Sequence, residues 1–453
     1  MSRKGVLGLT SQIKDKLIQQ ALERRLRNAG DATGTRFTPL YGEESGERRP
    51  DIPEQFYRFH LHPGYQQIRI INDGAARLGI ASPFFKPHQA TAGATTRIGG
   101  KSLINFGSYN YLGFSGDPII SAAAKAAIDT YGTSVSASRI VSGERPIHRE
   151  FERALAEAYD VDDAITFVSG HATNVTTIGY LFGPKDLILH DALIHNCTLQ
   201  GAQLSGAKRL SFAHNDWAAL DGILTEQRHN FERVLIVVEG IYSMDGDFPD
   251  LPKFVEIKRK HRAFLMVDEA HSFGVMGKTG LGIREHFSLA GTDVDIWMGT
   301  LSKVLAGCGG YIAGETALVE HLKFMAPGFL YSVGMPPPVA AASLAALQCL
   351  RQQPERVAAL QSRGKYFLKQ AQFAGIDTGI STGYAVVPAI TGSSLRAAKL
   401  SHALFERGIS AQPILYPAVP EKSARLRFFM SYEHTDEQID ETIRVLADEM
   451  AKI

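Results

Sequence analysis

The sequence predicts an α/β fold in which a large domain with a mainly parallel sheet precedes a smaller α+β domain. The first observation is a set of short apolar runs without polar alternation, typical of strands covered by helices on both faces. These runs occur at 164–168, 187–189, 233–238 and 263–267. The helix candidates are 147–159, just before the first run, and 252–261, which lies between two runs as a crossover between parallel strands requires. A proline-rich stretch at 327–338 then ends the region.

Beyond that stretch, the pattern predicts a long helix followed by a smaller unit. Its strand candidates are 385–389 and 425–430, and its helix candidates are 397–407 and 436–450. We therefore predict three parts: an N-terminal helix, linker and arm, then a large domain, then a C-terminal small domain. Their predicted bounds are 1–95, 96–335 and 336–453.

The N-terminal region carries a partial helical pattern. Ile18, Leu22 and Leu26 recur every four residues, which places them on one face of a helix over 11–27. Basic and polar side chains lie roughly opposite. The segment is interpreted either as a solvated surface helix or as a docking helix for a partner or a carrier domain. Residues 28–52 are rich in Gly, Thr, Glu, Arg and Pro, which indicates a linker.

Composition excludes several functional classes. The chain has 453 residues, 44% hydrophobic and 21% charged, with a net charge of +1. That charge gives no electrostatic case for nucleic acid or for an anionic membrane. The three cysteines show no CxxC spacing, which argues against a disulfide scaffold or a zinc site and favours a reducing compartment. No apolar core of a signal peptide and no run of about 18 apolar residues is present. We expect a cytoplasmic protein without metal or integral membrane segment.

The run VDEAHSFG at 267–274 places a carboxylate, Asp268, at the end of a predicted strand. Ligands of open α/β sheets lie at the carboxyl ends of the strands, so this residue is a first candidate for chemistry. The letters DEAH also occur in helicases, but that function needs an upstream phosphate loop of the form GxxxxGK[ST]. The only nearby candidate, at 274–279, has the wrong spacing and lies downstream.

A second candidate is Lys303 in MGTLSKVLAGCGGY, at 298–311. Thr300 and Ser302 precede it and a glycine-rich stretch follows, a setting that suits phosphate binding. Lys303 comes 35 residues after Asp268, about one βα unit further along. A lysine and an aspartate in this arrangement suit pyridoxal phosphate: the lysine forms a Schiff base with its aldehyde and the aspartate keeps its pyridine nitrogen protonated.

Ordered motifs from residue 105 to the C-terminus resemble the α-oxoamine synthases, which include serine palmitoyltransferase, glycine C-acetyltransferase, 5-aminolevulinate synthase and 8-amino-7-oxononanoate synthase. The resemblance implies the type I aminotransferase-like fold. The motifs are GSYNYLGF (107–114), SASRIVSGERPIH (136–148), SGHATN (169–174), DALIHNCT (191–198), EGIYSMDGD (239–247), VDEAHSFG (267–274), GTLSKVLAG (299–307) and ARLRFFMSYEHT (424–435).

The resemblance implies roles around the cofactor ring. Lys303 matches the Schiff-base lysine, and Asp268 matches the partner of the pyridine nitrogen. His271 and Ser243 match groups near the phenolic oxygen of the ring. His195 matches the histidine stacked on the cofactor face, although DALIHNCT alone would indicate a core histidine. Lys303, His195, Asp268 and His271 form the predicted catalytic set.

For the cofactor phosphate, the resemblance implies a turn at Gly170 and His171 with free backbone N–H groups, and a hydroxyl from Thr300. Ser332 matches a hydroxyl that the neighbouring subunit gives to the phosphate, which implies a homodimer with shared active sites.

For the amino acid, Arg427 matches the arginine that binds its carboxylate, where a two-pronged donor is useful. Tyr109 and Asn110 belong to the predicted substrate-binding set. Arg425 is the nearest rival of Arg427, and we expect it to be a surface charge.

The resemblance implies a decarboxylative condensation of an amino acid with an acyl thioester, giving an α-amino ketone. The amino acid stays open among serine, glycine and alanine. GSYNYLGF and EGIYSMDGD look most like serine palmitoyltransferases, whereas LYPAVP at 415–420 resembles glycine C-acetyltransferases. The alternatives are another type I reaction, such as transamination or aldol cleavage, and a non-catalytic partner subunit.

The donor thioester is also open between coenzyme A and an acyl carrier protein. Residues 56–67, FYRFHLHPGYQQ, resemble synthases of polyketide and other secondary pathways. The predicted N-terminal helix is basic, and a basic helix could steer an acidic carrier domain.

Overall fold

A computed structural model describes residues 51–77, 79 and 82–453. The helix predicted over 11–27 and most of the predicted linker at 28–52 lie outside the described residues. The described part of the chain divides at residue 71 into two compact units. The shorter unit contains two 3-10 turns, Glu54–Phe56 and Phe59–Leu61, and the first turns of helix α1, Pro63–Arg77.

The longer unit contains a seven-stranded sheet. Two strands that precede it in the chain, β1 (Thr95–Ile98) and β2 (Lys101–Asn105), lie outside this sheet. The strands of the large sheet are β3 (Asp163–Phe167), β4 (Leu187–Asp191), β5 (Lys208–Phe212), β6 (Val234–Glu239), β7 (Phe264–Asp268), β8 (Ile296–Thr300) and β9 (Gly310–Gly314). Their order across the sheet is β3-β9-β8-β7-β6-β4-β5. All neighbours are parallel except β9, which runs antiparallel to both β3 and β8. The mainly parallel sheet predicted from the apolar runs is confirmed.

Helices cover both faces of this sheet and complete the C-terminal region. They are α2 (Pro118–Tyr131), α3 (Pro146–Tyr159), α4 (Gly170–Leu181), α5 (Asn196–Ser205), α6 (Trp217–Gln227), α7 (Leu251–His261), α8 (Gly282–Phe287), α9 (Thr316–Met325), α10 (Pro327–Leu330), α11 (Pro337–Gln352), α12 (Pro354–Phe373), α13 (Ser394–Glu406) and α14 (Asp436–Met450). Among the helices of the described residues, none has both the length and the apolarity needed to span a bilayer.

Successive strand residues pack into two separate apolar clusters, one on each face of the sheet. In β4, Leu187 and Leu189 join the larger cluster whereas Ile188 joins the smaller one. In β6, Val234 and Ile236 likewise point opposite to Leu235. Because both faces are buried, neither needs polar residues, and this is why the strands appear in the sequence as uninterrupted apolar runs.

The C-terminal region adds strands β10 (Val386–Ile390), β11 (Ile409–Ser410), β12 (Gln412–Ile414) and β13 (Arg425–Phe429). Strands β10, β13 and β12 form one antiparallel sheet. Strand β11 instead pairs in parallel with β2, which pairs with β1. Thus the segment just before the large sheet shares a sheet with the C-terminal region. The predicted domain bounds stay a prediction.

Candidate active site

Three neighbouring parallel strands end at one edge of the large sheet, and each delivers a functional side chain there. Strand β6 ends at Glu239, β7 at Asp268 and β8 at Thr300. Glu239 and Asp268 are direct neighbours in the register of β6 and β7. Lys303 follows three residues after the end of β8. The predicted catalytic lysine and aspartate are therefore brought to the same edge of the sheet.

Lys303 lines a cavity of about 330 Å³ together with Tyr109, Asn110 and Ser302. Its ammonium lies 5.7 Å from the centre of the Tyr109 ring. Burial lowers the pKa of Lys303 to about 8, although the negative charges of Asp268 and Glu239 oppose that shift. A lysine with such a pKa has a substantial neutral fraction near neutral pH, which both imine formation and proton abstraction require.

Asp268 is held in place by two hydrogen bonds and is only 5% exposed. The backbone N–H of Ala270 donates to Oδ1 at 2.9 Å, and the Asn174 amide donates to Oδ2 at 2.8 Å. These bonds fix the carboxylate in one orientation, which suits a partner for a cationic ring nitrogen. Asn174 belongs to the motif SGHATN, but its contact with Asp268 is not predictable from the sequence, because the two residues are far apart along the chain.

A second buried carboxyl group, Glu239, lies beside Asp268. Burial, together with the charge of Asp268, raises the pKa of Glu239 well above its usual value. Its Oε1 accepts the backbone N–H of His195 at 2.7 Å. This hydrogen bond therefore joins the backbone at His195 to the end of β6. Glu239 is the first residue of the motif EGIYSMDGD, and its contact with the backbone of His195 was not predicted from the sequence.

His271 hydrogen-bonds through Nδ1 to the hydroxyl of Tyr111 at 2.7 Å. Burial lowers the pKa of His271 well below its usual value, and the positive charges of Lys303 and Arg427 add to the shift. Burial likewise raises the pKa of Tyr111 well above 10. Both groups are therefore neutral hydrogen-bonding groups beside the lysine. The contact with Tyr111 joins residues 160 positions apart.

His195 occupies the N-cap position of α5, and its Nδ1 accepts the backbone N–H of Cys197 at 3.3 Å. Partial enclosure of the ring lowers the pKa of His195, and the charge of Lys303 contributes to the shift. The imidazole is consequently neutral near pH 7. The prediction that His195 stacks on a cofactor ring stays a prediction.

The turn before α4 and the end of β8 meet closely. A Cβ atom on Gly170 would lie 2.6 Å from Thr300 Oγ1, so only glycine fits there without displacing Thr300. Ser169 caps α4 by accepting the backbone N–H of Ala172. The first N–H groups of this helix, from Gly170 and His171, lie at its electropositive end, which suits an anionic phosphate. Together with Lys303 and the fixed Asp268, this donor set fits pyridoxal phosphate.

Arg427 enters the same site from β13. Its Nη1 donates to the backbone carbonyl of Ser243 at 2.9 Å, and its guanidinium lies 4.5 Å from the centre of the Phe429 ring. Within the described residues it forms no ion pair with a carboxylate, and its buried Nε has no hydrogen-bond partner. Such an enclosed cation is suited to receive an incoming carboxylate.

Arg425 was expected to be a surface charge, and that prediction was wrong. It is 5% exposed, and its Nη1 pairs with Asp245 at 2.5 Å. Arg425 and Arg427 alternate with Leu426 along β13, so both leave the strand on the same side. Asp245 takes Arg425 as its partner and leaves Arg427 free of a carboxylate.

The remaining predicted residues differ in their surroundings. The Asn110 amide donates to the carbonyl of Ala92 at 2.7 Å and accepts the N–H of Ser115 at 3.1 Å. Tyr109 packs edge-on against Phe429, with 4.8 Å between ring centres. Ser243 contributes its backbone carbonyl to Arg427. Their roles toward substrate and cofactor stay predictions.

Ser332 does not line the Lys303 cavity. It lines a separate small cavity with Arg139 and Phe329. Its neighbours Tyr331 and Val333 are 88% and 47% exposed. Within one chain, therefore, Ser332 lies outside the cavity that Lys303 lines.

The chain is similar to known proteins over most of its length. The family model for aminotransferase class I and II matches residues 101–446. The 8-amino-7-oxononanoate synthase of Fervidobacterium nodosum is 41% identical over 355 residues, covering 78% of this chain and 89% of that protein. The corresponding enzyme of Symbiobacterium thermophilum is 38% identical, covering 83% and 95%.

Solved structures of serine palmitoyltransferases are also similar. That of Sphingomonas wittichii has a TM-score of 0.82 at 28% identity, covering 86% of this chain and 98% of that chain. One from S. paucimobilis has a TM-score of 0.83 at 28% identity, covering 87% and 100%.

Proposed function

This chain belongs to the α-oxoamine synthases, pyridoxal-phosphate-dependent acyltransferases of aminotransferase class I and II, and we propose that its amino substrate is serine, glycine or alanine. The α-carbon of the amino acid joins the acyl carbon of a thioester and the thiol leaves. The carboxylate then departs as carbon dioxide, a proton replaces it, and an α-amino ketone results.

The observation that carries this proposal is Arg427. Its guanidinium lies in the Lys303 site without a carboxylate partner among the described residues, and it is rigidly placed by the Ser243 carbonyl and the Phe429 ring. An α-amino acid carboxylate is the complementary ligand, and it would set the α-carbon within reach of Lys303.

Other residues of the site would bind the cofactor and transfer the proton. Bound pyridoxal phosphate would supply the electron sink for the α-carbanion. Lys303 would hold this cofactor covalently and, once its amine is free, would take the α-proton. Asp268 would pair with the ring nitrogen. Gly170, His171 and Thr300 would hold the phosphate.

The identity of the amino acid is the finer part of the proposal. An 8-amino-7-oxononanoate carries a methyl group on its amino carbon, which is the side chain of alanine, whereas the structural neighbours are named for serine. Absorbance spectra of the holoenzyme, recorded with serine, glycine and alanine in turn, would identify the amino acid that shifts the cofactor band. Release of carbon dioxide and free thiol would then confirm condensation, whereas a new keto acid would indicate transamination.

Replacing Arg427 by Lys keeps the charge but removes the planar fork. We expect KM for the amino acid to rise by about 10- to 100-fold, since a bidentate charged contact contributes roughly 1.5–3 kcal/mol. Lys253→Ala, on the exposed side of α7, is the matched surface control. An unchanged KM in Arg427→Lys would contradict the proposed carboxylate site.

We further propose that two copies of the chain share their active sites. The exposed apolar side chains of Tyr331 and Val333 support this, because a subunit interface would bury them and present Ser332 to the partner. Sedimentation of Tyr331→Glu against the wild-type protein tests the interface. A wild-type monomer with full cofactor affinity would refute it.

The acyl donor is the last open element of the proposal. Donors with the same acyl group on coenzyme A and on an acyl carrier protein would be compared in one assay. A preference for the carrier form supports a carrier partner, and a clear preference for coenzyme A removes it.

A further inference from the structure

The Cys197 thiol contacts the imidazole of His195 two residues earlier in the chain. Its Sγ is 2.8 Å from His195 Nδ1. The Cys197 side chain is buried, at 3% exposure, whereas His195 is exposed. The sulfur also accepts the Asn174 amide N–H at 3.0 Å, and the same amide group donates to Asp268.

The proton positions in this cluster follow from its contacts. The backbone N–H of Cys197 points at His195 Nδ1 at 3.3 Å, a long contact that favours a lone pair on Nδ1 but does not fix the tautomer by itself. Burial and the nearby charge of Asp268 raise the pKa of Cys197 to about 12, so the sulfur keeps its hydrogen. These contacts also fix the orientation of the Asn174 side-chain amide. If the amide group were reversed, its oxygen would face the Asp268 carboxylate, and two acceptors would meet.

We propose that Cys197 is a positioning residue whose S–H donates to Nδ1 and thereby holds His195 as the neutral tautomer with its proton on Nε2. Two donors, the thiol and the backbone N–H of Cys197, then face Nδ1. Nε2–H is left as the only polar edge of the ring available to a reactant.

This tautomer gives His195 a defined role, which rests on the proposed condensation. A neutral Nε2–H donates a hydrogen bond and cannot accept a proton at that atom. His195 would therefore stabilise negative charge developing on the thioester carbonyl oxygen and would not act as the base. That leaves proton abstraction to Lys303.

The same cluster joins two parts of the site. The Asn174 amide donates to both Cys197 and Asp268. The same amide group therefore helps to orient the Asp268 carboxylate and, through Cys197, the His195 ring. Replacing Cys197 by Ala removes the thiol, frees one Asn174 donor and leaves Nδ1 with only the long backbone N–H contact. A mixture of the two His195 tautomers is then expected.

The test uses the full chain in Cys197→Ala, in Cys197→Ser, which restores a donor, and in Cys349→Ala, which removes the buried thiol of α11. In ¹⁵N-histidine-labelled protein, His195 should show one tautomer, protonated on Nε2, in the wild type and in Cys349→Ala. It should show a mixture in Cys197→Ala and return to one form in Cys197→Ser. A proton on Nδ1 in the wild type, or no change in Cys197→Ala, would overturn the proposal.

Infrared spectra supply a second readout that needs no activity. The S–H stretching band lost in Cys197→Ala should lie below the band lost in Cys349→Ala, since a donating thiol has a weakened S–H bond. In His195→Phe the S–H stretching band of Cys197 should move to a higher wavenumber. A band that stays in place shows that the thiol does not donate to the histidine and overturns the proposal.

Turnover then distinguishes this inference from the proposed function. We expect kcat to fall about 10-fold in Cys197→Ala and to recover in Cys197→Ser, with KM unchanged in both. The loss is smaller than the ~10²–10⁴-fold that a positioned proton donor contributes, because only part of the His195 population changes tautomer. A wild-type protein without condensation activity would refute the proposed function while the tautomer result stands. Full kcat in Cys197→Ala, with mixed tautomers, would overturn the role assigned to Nε2–H.

Discussion

His214 is held between two carboxylates, and its charge should make the stability of the protein depend on pH. Its Nδ1 lies 2.8 Å from Asp191 Oδ1, and its Nε2 lies 2.8 Å from Asp247 Oδ2. Both carboxylates are buried, and the imidazole is 18% exposed. Tyr242 packs edge-on at 4.5 Å between ring centres, and its hydroxyl stays neutral because burial raises its pKa well above 10.

The magnitude follows from the shift in pKa. Burial opposes the charge on His214, but the hydrogen bonds and charges of Asp191 and Asp247 outweigh it and raise the pKa of His214 from 6.5 to about 10. At 1.36 kcal/mol per unit, this corresponds to roughly 3–5 kcal/mol. The folded pKa is raised, so the stabilisation is complete below about pH 6.5 and is lost as the pH rises to about 10.

Replacing His214 by Gln removes the charge and leaves two buried carboxylates without a cation. Urea unfolding followed by circular dichroism should show the variant less stable by several kcal/mol at pH 6.5, and the difference from wild type should shrink toward pH 10. His229→Gln, at an exposed position, is the matched control. A stability difference that is the same at pH 6.5 and pH 10 would refute the charged state of His214.

Three further outcomes are expected. Gly364→Ala in α12 should destabilise the protein, by about 2 kcal/mol or more in thermal or urea unfolding, because the added Cβ would meet the Tyr384 carbonyl at 1.7 Å. Gly222→Ala in α6, where nothing lies within 4 Å, should instead stabilise it by about 0.5–1 kcal/mol; equal effects would contradict the packing. The apoenzyme should take up pyridoxal phosphate faster as the pH passes about 8, because Lys303 becomes neutral there. Absorbance would follow this uptake, and a rise only near pH 10 would contradict the lowered pKa of Lys303.

The order of elements was predictable because it depends on local patterns. The run 233–238 lies within one residue of β6, and the helix predicted at 436–450 has the same bounds as α14. Strands β5 and β9 were not predicted. Strand β5 lies at the edge of the sheet and exposes several of its residues, while β9 contains two glycines in five residues. Neither has the uninterrupted apolar pattern of the central strands.

The candidate site was predictable only as a set of residue types. Lys303, Asp268 and Arg427 carry chemistry that motifs at fixed positions can indicate. Their partners are far away in sequence, since Asn174 bonds Asp268 across 94 residues. No local pattern predicts such a pairing, because it depends on how strands are ordered in the sheet.

The sequence by itself determined the parallel sheet and the family, and it singled out the candidate lysine. Apolar periodicity is a local property, and chemistry of this kind requires particular side chains at the strand ends. Only the tertiary structure decided that Arg425 pairs with Asp245 while Arg427 stays without a carboxylate. It also decided that burial raises the pKa of Glu239 and that His195 Nδ1 contacts the Cys197 thiol. Charge state and hydrogen-bond direction depend on burial and on neighbours that folding brings together.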